Sequence, residues 1–182
     1  MTAGAFDLLA MGRIGVDLYP RETGPMTEVR TFEKSIGGTA TNVAVACARL
    51  GRRVALISKV GDDAFGRYVE AALGRFGVDA RYVSRTPFLP TPVVFCELDP
   101  PEEPRIIFYR YPKAPDMEVA PSDVDEDAVR AARIFWVTGT GLSEDPHRAA
   151  LMHALAVRER RRWTVLDLDW RPMFWSAPAE AT

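Results

Sequence analysis

The stretch Gly37-Gly38-Thr39-Ala40-Thr41-Asn42 separates two segments of different character. Residues 27–34 before it are polar and β-leaning, whereas apolar residues recur at helical spacing after it, up to Gly51. A glycine pair at a strand-to-helix junction lets the backbone approach a ligand closely, and the helix start offers that ligand unpaired N–H groups. Asn42 both donates and accepts hydrogen bonds, which suits a hydroxyl-rich ligand. A plain loop with a threonine cap also fits this stretch, so features elsewhere in the chain are needed to distinguish it from a ligand-binding junction.

The composition is that of an ordinary folded domain. The 182 residues include 23 basic and 25 acidic ones and carry a net charge of -2, which gives no reason to expect nucleic acid or an anionic membrane as a partner. One basic cluster stands out at residues 158–162, where we expect a solvated helix end whose cations complement the helix dipole. No apolar run reaches membrane-spanning length.

The cysteines and histidines favour a cytoplasmic protein without a metal centre. Cys47 falls on an apolar helix face and Cys96 in a strand-like run, so both are predicted to be reduced core residues. The sequence has two histidines, His147 and His153, which leaves little material for a zinc site or a histidine-based catalytic pair.

Strand-like and helix-like segments alternate along the chain. Buried strands are predicted at 6–12, 54–58, 134–137 and 163–169. Helices are predicted after Gly38, after Gly61 and at 122–132. A last helix is predicted to run to about Arg161, with Asp145 as its N-cap and Pro146 at its first position. This alternation predicts an α/β fold, with a parallel sheet and helices on both faces. Ligands bind at the carboxyl ends of such strands, where Gly12, 138–141 and 169–171 are expected.

Two segments, at about 15–34 and 88–112, interrupt this alternation. Both are rich in β-forming residues and are bounded or divided by prolines, which predicts a pair of strands in each. We expect the two segments to form one small β lid over the ligand-binding edge of the core sheet.

Taken together, these features resemble the ribokinase-like, or PfkB, family of sugar kinases. The first family motif, Gly-Gly-x-x-x-Asn opening a helix after a β lid, is present as Gly37, Gly38 and Asn42. Asp17 shortly after a glycine-ended first strand, and the run 60–66 before the second helix, are similar as well. Further runs resemble a subgroup that acts on a keto-deoxy sugar acid; they are 6–18, 25–28, 31–34, 107–110, 138–140 and 166–172.

The resemblance implies roles for particular positions. Asp17 would accept hydrogen bonds from sugar hydroxyls, although a turn or cap aspartate is the alternative. Gly37, Gly38 and Asn42 would frame the sugar. Arg110, at the end of a lid strand, would pair bidentately with the carboxylate of a sugar acid, or else be a solvated surface arginine.

Other charged residues are expected near the same edge. The resemblance places Arg171, just past the last strand, against the sugar or the transferred phosphate. Asp167 and Asp169 lie beside it, but strand-end aspartates are often only caps. The aspartates at 62–63 are explained by a helix N-cap. Arg13 stands where many relatives have an asparagine, and it disfavours a ribokinase or an adenosine kinase.

The second family motif, Asp-Thr-x-Gly-Ala-Gly-Asp, does not occur in the sequence. In the family it supplies an anion hole and the aspartate base, and ATP with Mg²⁺ supplies the phosphoryl group. We therefore expect 1–182 to be an incomplete ribokinase-like domain, truncated before the nucleotide-binding half. This chain is expected to bind a sugar acid, to be inactive alone and to form a homodimer through its lid.

Two functions of other classes compete with this interpretation. A dinucleotide-dependent oxidoreductase would use the turn Gly12-Arg13-Ile14-Gly15, but that turn lacks the three-glycine spacing and leads into the lid rather than a helix. A catalytically inert sugar-binding or association fragment fits the chain well and needs no affinity for ATP. Among the kinases, specificity for 2-keto-3-deoxygluconate or for fructose stays open.

Overall fold

The core sheet is built around β1 (Leu8–Met11), whose side chains alternate between two buried faces. Leu8 and Ala10 join one hydrophobic cluster, and Leu9 and Met11 join another on the opposite side. Burial on both faces explains why the strand is a continuous apolar run rather than an alternating one. The structure, a computed structural model, describes residues 5–175.

All strand pairings in the core sheet are parallel, as the sequence predicts. The strand order places β1 in the middle, with Ala10 opposite Leu56 on one side and Trp136 on the other. Along the sequence, strands are added first on one side of β1 and later on its other side, although all of them remain parallel. A ligand crevice forms at such a point in parallel α/β sheets. The other strands are β4 (Val54–Gly61), β5 (Val78–Asp79), β6 (Val83–Thr86), β9 (Ile134–Thr138) and β10 (Trp163–Asp167).

Helices cover both faces of the sheet. The cluster that contains Leu8 is completed by α1 (Thr39–Arg49) and α2 (Ala64–Arg75). The cluster that contains Leu9, on the other face, is completed by α3 (Glu126–Ala131) and α4 (His147–Arg158). Helix α1 begins at Gly38, whose backbone φ is 104° and which offers no side-chain cap. Helix α2 is capped by the Asp63 carboxylate, which accepts a hydrogen bond from the Gly66 N–H at 2.7 Å, as the sequence predicts.

A second, four-stranded sheet forms the lid. Its order is β3 (Phe32–Gly37), β2 (Gly15–Pro20), β7 (Val93–Glu97) and β8 (Arg105–Tyr109). Strands β2 and β7 pair in parallel and join the two sequence segments into one layer. Edge-to-face contacts of the Phe95 ring with Phe32 at 5.3 Å and with Tyr109 at 5.4 Å, between ring centroids, pack three of the strands together.

Two of the predicted helices have different boundaries in the structure. The segment expected to be helical over 122–132 is a 3₁₀ turn (Pro121–Asp123) followed by α3, because the Asp125 carboxylate accepts from the Ala128 N–H and caps the helix there. Helix α4 begins one residue late, with Pro146 at the cap position. It ends at Arg158 rather than Arg161, since the next two residues take left-handed φ angles of 49° and 55°.

Arg158 also corrects the prediction of a solvated basic cluster. Its side chain is buried and donates hydrogen bonds to the carbonyl oxygens of Val129, Ala132, Arg133 and Trp163, at 2.6 to 3.1 Å. The guanidinium thereby ties the end of α3 to the start of β9 and β10. Arg160, Arg161 and Arg162 are exposed, as expected.

Two further observations concern the cysteine thiols and the length of the helices. Cys47 is half-buried and Cys96 buried, and both carry free thiols. Among residues 5–175, no helix has the length and apolarity needed to cross a membrane.

Candidate functional site

A cavity of about 310 Å³ lies between the core sheet and the lid. It opens next to the carboxyl ends of β1 and β10, which is the predicted edge of the core sheet. The lining residues come from the β1–β2 connection, the start of α1, all four lid strands and the segment after β10; they are Arg13, Ile14, Gly15, Asp17, Tyr19, Gly37, Gly38, Thr39, Asn42, Pro92, Val94, Cys96, Ile106, Phe108, Arg110 and Arg171.

All six of the predicted site residues line this one cavity. They are Asp17, Gly37, Gly38, Asn42, Arg110 and Arg171. They come from four separate stretches of the chain, at 17, 37–42, 110 and 171, so the fold brings together residues that lie far apart in the sequence. Their roles toward a ligand stay predictions.

The glycine pair is required by contacts within the protein. A Cβ at Gly37 would overlap the Asp17 carboxylate. A Cβ at Gly38, where φ is 104°, would lie 2.6 Å from the carbonyl carbon of Arg13. The pair therefore lets the start of α1 pack against both the β1–β2 connection and the Asp17 side chain. Asn42 follows one turn later on the cavity side of α1, with its own N–H bonded to the Gly38 carbonyl at 2.9 Å.

Asp17 presents a partly buried carboxylate to the cavity. Burial raises the pKa of Asp17, and this rise is partly offset by the Tyr19 hydroxyl, which donates to the carboxylate at 3.4 Å, and by the nearby charge of Arg13. At neutral pH, an incompletely solvated carboxylate is a strong acceptor for a ligand hydroxyl. The carboxylate also raises the pKa of the Cys96 thiol, after the larger effect of that thiol's burial.

Arg110 is not a solvated surface arginine. Its Nη2 donates to both carboxylate oxygens of the fully buried Asp116, at 2.8 and 3.1 Å. The backbone carbonyl of Asp116 in turn accepts a hydrogen bond from Nδ1 of the buried His147 at 2.5 Å. Arg110 is therefore held in place against the cavity by a buried ion pair, while its other guanidinium nitrogens form no hydrogen bond with the described residues.

Arg171 is the most accessible of the predicted cations, with 44% of its side chain exposed. Its Nη2 lies 3.2 Å from Oδ1 of Asp169. This ion pair fixes the side chain at the mouth of the cavity and leaves room for a second anionic partner.

Sequence reasoning missed a buried cluster of Arg13, Asp169 and Thr39. The Arg13 Nη2 donates to Asp169 Oδ2 and to Thr39 Oγ1, and the Thr39 hydroxyl donates to the same carboxylate oxygen at 2.9 Å. Burial lowers the pKa of Arg13, an effect that the Asp169 carboxylate opposes. A signal was present, because Arg13 and Asp169 each follow a core strand and a buried arginine needs a carboxylate.

Asp169 itself is held in an unusual backbone conformation. Its φ is 39°, in the left-handed region that aspartate tolerates better than most residues. The Asp167 carboxylate accepts a hydrogen bond from the Asp169 N–H at 3.0 Å, so Asp167 has the capping role expected of a strand-end aspartate. The side chain of Asp169 is only 3% exposed and binds both Arg13 and Arg171.

The donor set of the described residues does not fit a metal ion. Across 5–175, no three or more histidine, cysteine, aspartate or glutamate side chains stand close enough together to hold one. The carboxylates of Asp116 and Asp169 are already occupied by arginines. The chemistry that this cavity offers is recognition of hydroxyl groups and of an anion.

Known proteins resemble this chain over nearly its whole length. Residues 5–181 match the sequence model of the pfkB family of carbohydrate kinases. The 5-dehydro-2-deoxygluconokinase of Halalkalibacterium halodurans is 36% identical over 178 residues, which cover 96% of this chain and 54% of that protein. The crystal structure of a PfkB protein from Polaromonas sp. JS666 has a TM-score of 0.87 at 26% identity, covering 97% of this chain and 60% of that one.

An uncharacterized sugar kinase from Pyrococcus horikoshii, solved in complex with ATP, has a TM-score of 0.84 at 30% identity. The match covers 95% of this chain and 56% of that one. This chain thus spans little more than half the length of these relatives. The match of nearly all its residues, together with a sugar-sized cavity beneath a β lid, leads to one conclusion: the chain belongs to the pfkB family of carbohydrate kinases.

Proposed function

We propose that this chain is the sugar-acid-binding part of an ATP-dependent kinase that phosphorylates 5-dehydro-2-deoxygluconate at its terminal hydroxyl. The observation that carries the proposal is the distribution of charge in one cavity. An acceptor carboxylate, Asp17, and a group of arginines line the same 310 Å³ space beneath the lid. The activity named for relatives that are 34–37% identical over almost the whole chain supports this substrate.

The sugar hydroxyls are assigned to the Asp17 side of the cavity. Asp17 accepts hydrogen bonds from them, and the Asn42 side chain can donate to one oxygen while it accepts from another. Gly37 and Gly38 bring the backbone at the start of α1 up to the ligand. The unpaired N–H groups of that first helical turn add a weak positive potential toward hydroxyl oxygens.

The carboxylate of the sugar acid is assigned to the arginines. Arg110 has guanidinium N–H groups to spare after its ion pair with Asp116, and Arg171 reaches the same cavity from the core side. Arginine suits this role because its planar fork matches the geometry of a carboxylate. A neutral hexose such as fructose lacks that group and cannot form an ion pair with these side chains.

ATP and Mg²⁺ enter the proposal through the family. When bound, ATP supplies the phosphoryl group, and a relative has been solved with ATP. The described residues of this chain do not fit a metal ion, so we assign no step to Mg²⁺ here. We further propose that the 182-residue chain does not phosphorylate the sugar acid by itself, since the glycine-rich anion hole and aspartate base of the family have no counterpart in its sequence.

A homodimer through the lid is part of the same proposal. The outer side of the lid carries exposed aromatic side chains, among them Tyr109 at 62% and Tyr111 at 78% exposure. Large exposed apolar side chains on one sheet mark an association surface. Light scattering should give twice the chain mass for the wild type and a monomer for Tyr109→Asp; a monomeric wild type at micromolar concentration would argue against the dimer.

Calorimetric titration of the protein with 5-dehydro-2-deoxygluconate tests the binding proposal. Asp17→Ala and Asn42→Ala should each weaken binding by about 1–3 kcal/mol, the usual effect of removing one partner of a buried hydrogen bond. Asp127→Ala is the matched control, because that carboxylate is 98% exposed on α3. Equal affinity of the wild type and both cavity variants would refute the site assignment.

A further inference from the structure

Arg13 has hydrogen-bonding capacity that the protein does not use. The residue is only 6% exposed and borders the cavity at the end of β1. Its Nη2 binds Thr39 and Asp169, but its buried Nε has no partner among the described residues. A guanidinium carries five N–H donors, and an unpaired buried donor costs free energy. This geometry is suited to an acceptor that a ligand brings.

Arg13 and Arg110 meet on one aromatic ring. Their guanidinium carbons lie 5.7 Å and 5.4 Å, respectively, from the centroid of the Phe174 ring, within cation–π distance. Arg13 comes from the core side and Arg110 from the end of the lid strand β8. Each is anchored through Nη2 alone, to Asp169 and to Asp116 respectively. The two cations are thus held by matching ion pairs, one in the core and one beside the lid.

Three arginines, Arg13, Arg110 and Arg171, meet at this end of the cavity, where Asp116 and Asp169 pair with them. A third carboxylate, Asp17, is near enough for the Arg13 charge to oppose the rise of its pKa, but among the described residues it forms no ion pair with the three arginines. The guanidinium groups therefore carry more N–H donors than these carboxylates occupy. An anionic ligand group can accept charge-assisted hydrogen bonds from them, whereas a neutral sugar cannot form an ion pair with them.

We propose that Arg13 is a specificity-determining residue that binds the carboxylate of the sugar acid together with Arg110. A carboxylate has two oxygens and about four acceptor sites, so the two guanidinium groups share it from the core side and the lid side. The inference rests on the proposed function, because it requires an acidic sugar. It adds a contact on the core side of the cavity that the lid arginine alone does not supply.

The test compares 5-dehydro-2-deoxygluconate with its methyl ester, which has a small methoxy group in place of the negative charge, by calorimetric titration. Arg13→Lys keeps the charge beside Asp169 but removes the planar fork. It should weaken binding of the acid about tenfold and change binding of the ester less than about twofold. Arg110→Lys should do the same. Arg85→Lys is the matched control, because Arg85 also pairs with a carboxylate, Glu70, but on the exposed side of β6.

A second variant removes the Arg13 charge. In Arg13→Gln the Asp169 carboxylate keeps its ion pair with Arg171, so no buried carboxylate is left without a cation, and this variant should also lose affinity for the acid alone. Equal losses on acid and ester would overturn the inference, because Arg13 would then only shape the cavity. A loss of acid binding in Arg110→Lys but not in Arg13→Lys would overturn this inference and leave the proposed function standing. No preference of the wild type for the acid, or no binding at all, would overturn both.

Discussion

Replacing Gly37 with alanine tests how the glycine pair and Asp17 act together. The new Cβ would lie about 1 Å inside van der Waals contact of the Asp17 carboxylate. The φ of Gly37 is outside the left-handed region, so the alanine backbone itself is not strained. The clash is with the end of a side chain rather than with backbone, and the carboxylate is therefore expected to swing aside by about 1 Å or more.

This displacement should affect binding more than stability. Overpacking of this kind costs about 1–3 kcal/mol in folded proteins, and a movable carboxylate places Gly37→Ala near the lower end of that range. The same movement takes the carboxylate away from the sugar hydroxyls, which should lower affinity by about 10- to 100-fold, the equivalent of one or two hydrogen bonds to a charged group. Gly37→Ala should thus lose about as much affinity as Asp17→Ala.

A double-mutant cycle decides whether this reasoning is correct. In the Asp17→Ala background the clash is gone, so Gly37→Ala should cost little stability and no further affinity, with a coupling energy of about 1 kcal/mol or more. Unfolding in urea and calorimetric titration with the sugar acid measure the two quantities. Gly74→Ala is the control, since nothing lies within 4 Å of a Cβ at that helical glycine, and it should stabilise by about 0.5–1 kcal/mol. Additive effects of the two cavity substitutions would refute the proposed contact.

Three further predictions concern charge and catalysis. Because burial raises the pKa of Asp17 above its unfolded value, the folded state holds that proton more tightly. The free energy of unfolding should therefore fall as pH rises from about 4 through the folded pKa. Asp17→Asn should flatten this slope and stabilise the protein at pH 7 in urea titrations, and a steeper slope would contradict the shift. Arg158→Met leaves four backbone carbonyl oxygens without their donor and should lose about 3 kcal/mol in the same assay, whereas Arg160→Met, on an exposed neighbour, should change stability little. The 182-residue chain should show no sugar-dependent ATP hydrolysis or phosphoryl transfer in a coupled assay, and turnover by the purified chain would disprove the proposal that its catalytic groups lie elsewhere.

The core was predictable because its signals are local. Apolar runs such as Leu8–Met11 need no knowledge of their neighbours to be identified as buried strands. The starts of α1 and α2 follow from glycine and aspartate at single positions, and Asp63 caps α2 through a residue three positions away. The resemblance of the glycine pair and Asn42 to a family motif then supplied the cavity residues that periodicity alone does not reveal.

The buried ion pairs were not predictable in the same way. Arg13 and Asp169 are separated by 156 positions, and nothing in the local sequence of either residue names the other. Arg158 shows the same limit. Its position in a basic cluster favours solvent exposure, whereas three of its four carbonyl partners lie at Val129, Ala132 and Arg133, which are distant in the sequence. Charge patterns along a chain indicate where cations are, but tertiary packing decides which of them are buried.

The arrangement of the cavity links ligand binding to the position of the lid. Asp17 belongs to lid strand β2, and Arg110 directly follows lid strand β8. Arg13, in contrast, is connected to the core sheet through its ion pair with Asp169, which lies just after β10. A sugar acid bound as proposed bridges both layers, so it interacts with more groups when the lid is close to the core than when it is apart. A ligand shifts a conformational equilibrium only by its difference in affinity for the two states, and here that difference comes from the lid contacts. Hydrogen exchange of amides in β2 and β7 should therefore slow when the acid binds, and slow less when its methyl ester binds. Equal protection by the two ligands would show that the carboxylate contacts do not act across the two layers.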